Sequence, residues 1–123
     1  MGQIMEELLK ALGKINFYRS NIDDIIRGRE QDIFKHEWDR VAFEIDLMKE
    51  LNGFSNEQEK CTKNIKEKAS KRIYESTGDN DLADYVYADF GILSDGIQLG
   101  YKDSWFTKLH DCYAAAVIPT GEL

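Results

Sequence analysis

Proline and cysteine are scarce in this chain. Few cysteines exclude a fold held together by disulfides, and a single proline excludes proline as the usual end of a helix. The 123 residues contain one proline, Pro119, and two cysteines, Cys61 and Cys112. A small secreted domain held together by disulfides would need several cysteine pairs, so we expect a reducing compartment and two small, buried, apolar cysteine side chains. With proline confined to position 119, glycines are the residues left to end helices.

Long apolar runs are also missing. No segment approaches the roughly 18 consecutive apolar residues that a membrane-spanning helix needs. The first twelve residues are amphipathic and acidic, whereas a secretory signal would be basic and then continuously apolar. We therefore expect a soluble, cytoplasmic protein that does not bind membranes.

Catalytic and metal-binding motifs are absent as well. The sequence has no HExxH, no EF-hand loop, no phosphate-binding glycine loop and no GxSxG, and its only histidines are His36 and His110. The carboxylates of Asp81 and Asp84 could hold a cation or transfer a proton, but no companion motif supports either role. We predict that the protein is not an enzyme and has no catalytic, cofactor or metal site. His36 is expected to be a packed or interfacial side chain.

Helical periodicity dominates what is present. Glycines at positions 28, 53, 78 and 100 each follow a periodic segment, as glycines after helix ends do. The pattern predicts one domain, 1–123, folded as an all-α irregular bundle of about five helices. The five longer predicted segments are 3–17, 30–51, a helix capped by Ser55 with Gln58 in a capping box, 80–99 capped by Asp79, and a last helix from Asp103 or Ser104 that ends before Pro119. A short helix from Asn21 lies between the first two.

The apolar faces of these segments differ in width. Segment 30–51 has one apolar face and a second, smaller set on nearly the opposite side, Phe43 and Leu47, which predicts a central place in the bundle. The helix after Ser55 has only a narrow apolar stripe among lysines, which predicts an edge helix with a solvated basic face. In the helix 80–99, Leu82, Val86, Phe90, Leu93 and Ile97 form one stripe towards the core.

Charge is distributed unevenly along the chain. The net charge is -7, yet residues 1–72 contain fourteen acidic and fourteen basic residues, while 73–101 contain six acids and no lysine or arginine. The outer face of the helix 80–99 presents aspartates beside small residues and tyrosines, a composition suited to binding a basic protein. The predicted partner-binding residues are Asp81, Asp84, Tyr85, Tyr87, Ala88, Gly91 and Asp95. The alternative is that each acid serves its own helix or stays hydrated.

The C-terminal third carries a family resemblance. The run 85–97, then Trp105-Phe106, the segment 109–113 and the end near 118–121 resemble small bacterial immunity proteins of contact-dependent growth inhibition and related polymorphic toxin systems. The resemblance implies a cytoplasmic protein that binds one cognate toxin domain, frequently a nuclease, and covers its active or substrate-binding surface. Such toxins are often basic because they bind nucleic acid.

Two other functions remain open at this point. The chain could be a regulatory or scaffold module that binds proteins unrelated to toxins. It could also bind RNA through Lys60, Lys63 and Lys71, although an acidic domain whose lysines lack interleaved aromatics makes direct nucleic-acid binding the weaker prediction. The sequence makes no prediction about oligomeric state.

Overall fold

The fold is built from α-helices. A computed structural model describes residues 2–123 and contains six helices, with no strand in that part of the chain. The helices are α1 (Gly2–Leu12), α2 (Arg19–Arg29), α3 (Asp32–Asn52), α4 (Asn56–Thr77), α5 (Asn80–Leu99) and α6 (Ser104–Ala114). The predicted all-α class is confirmed, and the predicted number of about five is close to the six present. The structure also has no described helix that is long and apolar enough to cross a bilayer.

The ends of α4, α5 and α6 follow from local side-chain chemistry. The amide of Gln58 donates to Ser55 Oγ at 3.1 Å and the amide of Ser55 donates to Gln58 Oε1 at 2.8 Å, so the predicted capping box is present. Asp79 accepts from the amide of Leu82, and Asp103 accepts from the amide of Phe106, both at 2.9 Å. These caps lie where the sequence predicted them.

Other helix ends differ from the prediction. Helix α1 ends at Leu12 and α6 at Ala114, each several residues before the expected boundary. Gly28 does not follow a helix end, because α2 continues to Arg29. A Cβ atom at Gly28 would lie 2.7 Å from Cβ of Thr120, so this glycine gives the C-terminal tail room to pack against α2.

Helix α5 is the centre of the structure. Eleven of its residues are buried, including Val86, Phe90 and Leu93 of the predicted core stripe. Helix α4 lies along α5, whereas α3 buries only Phe34, Val41 and Ile45 fully. The prediction that α3 is central was wrong, because its second apolar set is exposed to solvent instead of being packed.

The cysteines and His36 differ from their predicted environments. Both cysteines are free and half-buried, so they are less enclosed than expected. His36 is exposed instead of packed. It lines an open cavity with Trp105 and Lys108.

Two glycines of α5 should respond differently to alanine. A Cβ at Gly96 would lie 2.5 Å from Cζ of Phe106, a buried ring, whereas one at Gly91 would meet only the flexible Cδ of Lys66 at 3.4 Å. We expect Gly96→Ala to lower the free energy of unfolding by about 1–3 kcal/mol through overpacking. Gly91→Ala should be neutral or raise it by about 0.5–1 kcal/mol, since alanine favours helix. Urea unfolding of the two variants measures both, and equal effects would contradict this packing of α6 on α5.

Candidate partner-binding surface

A buried ion pair joins Asp89, near the middle of α5, to Arg29 of α2. Arg29 donates through Nη1 to Asp89 Oδ2 at 2.5 Å and through Nη2 to Asp89 Oδ1 at 2.6 Å. Trp38 Nε1 donates to Oδ1 at 2.9 Å and the Tyr113 hydroxyl donates to Oδ2 at 2.5 Å. The carboxylate of Asp89 therefore joins α2, α3, α5 and α6, and it is not one of the exposed acids.

Aromatic rings enclose the guanidinium of Arg29. Its Cζ lies 4.2 Å from the ring centre of Phe34 and 5.0 Å from that of Tyr85, close enough for cation–π attraction. Burial would lower the pKa of Arg29, but the charge of Asp89 and its hydrogen bonds outweigh burial and raise that pKa. Above this pair lies an apolar cavity of about 220 Å³, lined in part by Tyr85, Ala88 and Asp39.

Asp95 also forms buried contacts with neighbouring helices. Lys49 Nζ of α3 lies 2.5 Å from Asp95 Oδ2, and the Thr62 hydroxyl of α4 donates to Oδ1 at 2.7 Å. Asp95 is only 9% exposed and Gly91 is buried beside Lys66. The prediction that these two residues face outward was wrong, because α3 and α4 cover that side of α5.

The other predicted residues lie nearer the surface. Asp81, Asp84 and Tyr87 are exposed, while Tyr85 and Ala88 are half-buried. Within the described part of the chain, neither Asp81 nor Asp84 forms an ion pair. We call Asp81, Asp84, Tyr85, Tyr87 and Ala88 the α5 flank; it is what remains of the predicted surface. Whether a partner binds it stays a prediction.

The uneven charge of the sequence is partly balanced by the fold. Three of the six acids in 73–101 meet a cation from the first half of the chain, although only two of these contacts are close. Arg29 pairs with Asp89 and Lys49 with Asp95, while Arg19 lies 3.9 Å from Asp79 and is largely exposed. The acids of this stretch left without an ion pair in residues 2–123 are Glu75, Asp81 and Asp84.

The lysines of α4 border a groove that contains aromatic rings. Lys60, Lys63 and Lys66 line an open groove together with Lys49, Phe54, Tyr87 and Asp95. Lys66 Nζ lies 4.7 Å from the ring centre of Tyr87, and Lys49 Nζ lies 4.7 Å from that of Phe54. These rings lie outside α4, so the spacing of the α4 lysines gives no indication of them. Lys66 of α4 and Lys49 of α3 are thus each engaged by an aromatic ring of the same chain, and Lys49 also by Asp95.

A further set of acids was missed on α3. Asp39, Asp46 and Glu50 are exposed on its outer face; Asp39 precedes the exposed ring of Phe43 along the helix and the other two follow it. Asp39 lines the same cavity as Tyr85 and Ala88, so this face of α3 adjoins the α5 flank. The sequence contains one indication of this exposed face, the second apolar set of α3, Phe43 and Leu47. It was interpreted as a face packed inside the bundle.

Comparison with known protein families gives one match. The family model Immunity protein PIM1 matches residues 4–120, which reach into all six helices. No curated protein and no solved structure matches the chain. The match spans nearly the whole chain and confirms the immunity-protein part of the resemblance carried by the C-terminal third. The chain therefore belongs to the Immunity protein PIM1 family.

Proposed function

We propose that this immunity protein neutralises a basic nuclease toxin of a contact-dependent growth inhibition or related polymorphic toxin system. It acts in the cytoplasm by stoichiometric binding and has no catalytic activity of its own. Family membership is the observation that carries the proposal, since an immunity protein implies a cognate toxin. Membership also favours this function over a scaffold unrelated to toxins.

The chemistry of the α5 flank supports a basic partner. Asp81 and Asp84 are exposed and form no ion pair with the described residues, so their carboxylates are available to arginines and lysines of the toxin. Ala88, one turn after Asp84, leaves room for a partner's side chains to approach closely. A nuclease surface that binds phosphates would accept these carboxylates in place of its substrate.

The overall charge favours the same pairing. A net charge of -7 repels nucleic acid and attracts a cationic protein, which speeds association at low salt. Direct RNA binding by α4 is less favoured, because Lys60 and Lys63 lie in a groove that also contains Glu59 and Asp95, while Lys71 is exposed outside that groove.

Charge reversal on the α5 flank tests the proposal. Against the cognate toxin, to be sought in the gene immediately upstream of this one, Asp84→Lys should slow association by about tenfold and flatten its dependence on salt. The matched control is Asp23→Lys, which makes the same charge change at an exposed position of α2. Stopped-flow association rates measure both variants.

Three outcomes would count against parts of this proposal. Equal rates for Asp84→Lys and Asp23→Lys would remove the α5 flank as the binding surface. A toxin that degrades neither RNA nor DNA would remove the nuclease assignment. Failure of the unmodified protein to bind the toxin, or to protect cells that express it, would remove the pairing itself.

A further inference from the structure

An apolar stripe runs along the outer face of α3. Phe43, Leu47 and Leu51 are 68%, 44% and 75% exposed, and they follow one another at intervals of four residues. At 100° per residue these side chains fall within about 80° of one another around the helix. We call these three residues the α3 stripe.

Folding does not explain the α3 stripe. Phe34, Val41 and Ile45 form the buried face of the same helix, on the opposite side. Scattered apolar side chains on a surface are ordinary, but three aligned over two helical turns form a continuous patch. Such a row at spacing i, i+4 and i+8 is typical of helices that bind in an apolar groove of another protein.

Carboxylates lie along one edge of the α3 stripe. Asp39, Asp46 and Glu50 are exposed, and their helical positions fall within about 60° of Phe43. None of the three forms an ion pair with the described residues. Three cations lie nearby: Lys35 lines the same cavity as Asp39 and forms no ion pair with the described residues, and Arg40 contacts Glu37, Glu44 and Asp103. Lys49 contacts Asp95. An apolar centre with a charged edge is the usual arrangement of a protein–protein interface.

We infer that the α3 stripe is the main anchor for the toxin, an inference that depends on the proposed function. The toxin would present an apolar groove bordered by lysine or arginine, into which Phe43 and Leu47 insert while the carboxylates bind the basic border. Asp39 shares a cavity with Tyr85 and Ala88, so one partner can cover the α3 stripe and the α5 flank together.

Charge argues against a second copy of this chain as the occupant. A two-fold dimer would place the same face of both copies together. The carboxylates of Asp39, Asp46 and Glu50 of both copies would then be brought into one interface between two chains of net charge -7 each. An opposite charge on the partner removes that repulsion, and a basic toxin supplies it.

The double variant Phe43→Ser/Leu47→Ser tests this inference. Binding to the cognate toxin should weaken by about thirtyfold or more, mainly through faster dissociation, because buried aromatic anchors dominate interface energies. The matched control is Tyr18→Ser/Ile4→Ser, which removes apolar side chains that are 64% and 44% exposed elsewhere. Surface plasmon resonance gives the dissociation rates, and thermal unfolding should show all three proteins equally folded.

The possible results separate the inference from the proposed function. If the unmodified protein binds and the double variant binds as tightly as the control, the α3 stripe is not the anchor although the toxin pairing stands. If the unmodified protein does not bind, both fail. If sedimentation shows that the protein alone is a dimer that the double variant dissociates, the stripe binds a second copy and the inference is overturned.

Discussion

Asp89→Asn should lower the free energy of unfolding by about 3–5 kcal/mol, the largest effect that we expect from a conservative change in this chain. The carboxylate of Asp89 accepts four hydrogen bonds, two from Arg29 and one each from Trp38 and Tyr113. Asparagine has one acceptor oxygen, and its amide group would face donors. The guanidinium of Arg29, which is 3% exposed, would also lose its counter-charge.

Urea unfolding at neutral pH measures this loss. Asp111→Asn is the matched control, because the Asp111 side chain is 67% exposed and its change should stay within about 0.5 kcal/mol. The double variant Arg29→Met/Asp89→Leu should be less destabilised than Asp89→Asn, since it removes both charges and leaves neither buried alone. A change of less than about 1 kcal/mol in Asp89→Asn would mean that the pair is hydrated instead of buried.

A sequence signal for this ion pair existed but was weak. Asp89 lies 100° from Phe90 and 40° from Leu93 around the helix, so it borders the predicted core stripe instead of the outer face. A charged residue at that edge indicates a buried partner, but its identity cannot be read from the pattern. Arg29 is sixty residues away, and only the packing of α2 beneath α5 brings it there.

The helix caps could be predicted from the sequence, whereas the position of α3 could not. The caps by Ser55, Asp79 and Asp103 depend on residues within three positions of each other, so the sequence determines them directly. The position of α3 depends on which of its two apolar faces the rest of the chain covers. Amphipathic spacing shows that Phe43 and Leu47 are a face, but not whether that face binds this chain or another.

The outer face of α5 was misjudged for a related reason. Spacing showed that Asp84 and Asp95 both point away from the Val86 and Phe90 side of the helix. Spacing does not show that α3 and α4 converge over the second half of α5, where Asp95 lies, and leave the first half open. Spacing therefore does not distinguish these two aspartates, although Asp95 is a buried ion-pair partner of Lys49 and Asp84 is exposed.

Charge reversal at these two aspartates should have opposite consequences. Asp95→Lys should lower the free energy of unfolding by about 3 kcal/mol, because it places a second ammonium beside Lys49 and removes one of the two acceptors near the Thr62 hydroxyl. The Lys49 side chain is 24% exposed, which moderates the repulsion. Asp84→Lys should change stability by no more than about 0.5 kcal/mol, since Asp84 is exposed and unpaired with the described residues.

The difference in stability between Asp84→Lys and Asp95→Lys decides how a loss of toxin binding in either variant is interpreted. Weaker binding in Asp84→Lys at unchanged stability would reflect the surface itself, whereas weaker binding in Asp95→Lys would follow from partial unfolding. Chemical denaturation of both variants, with Lys49→Met as the matched control for the loss of the ion pair alone, measures this directly. If Asp95→Lys is as stable as the unmodified protein, Asp95 is accessible after all, and the sequence-based assignment of this residue to the outer face regains its support.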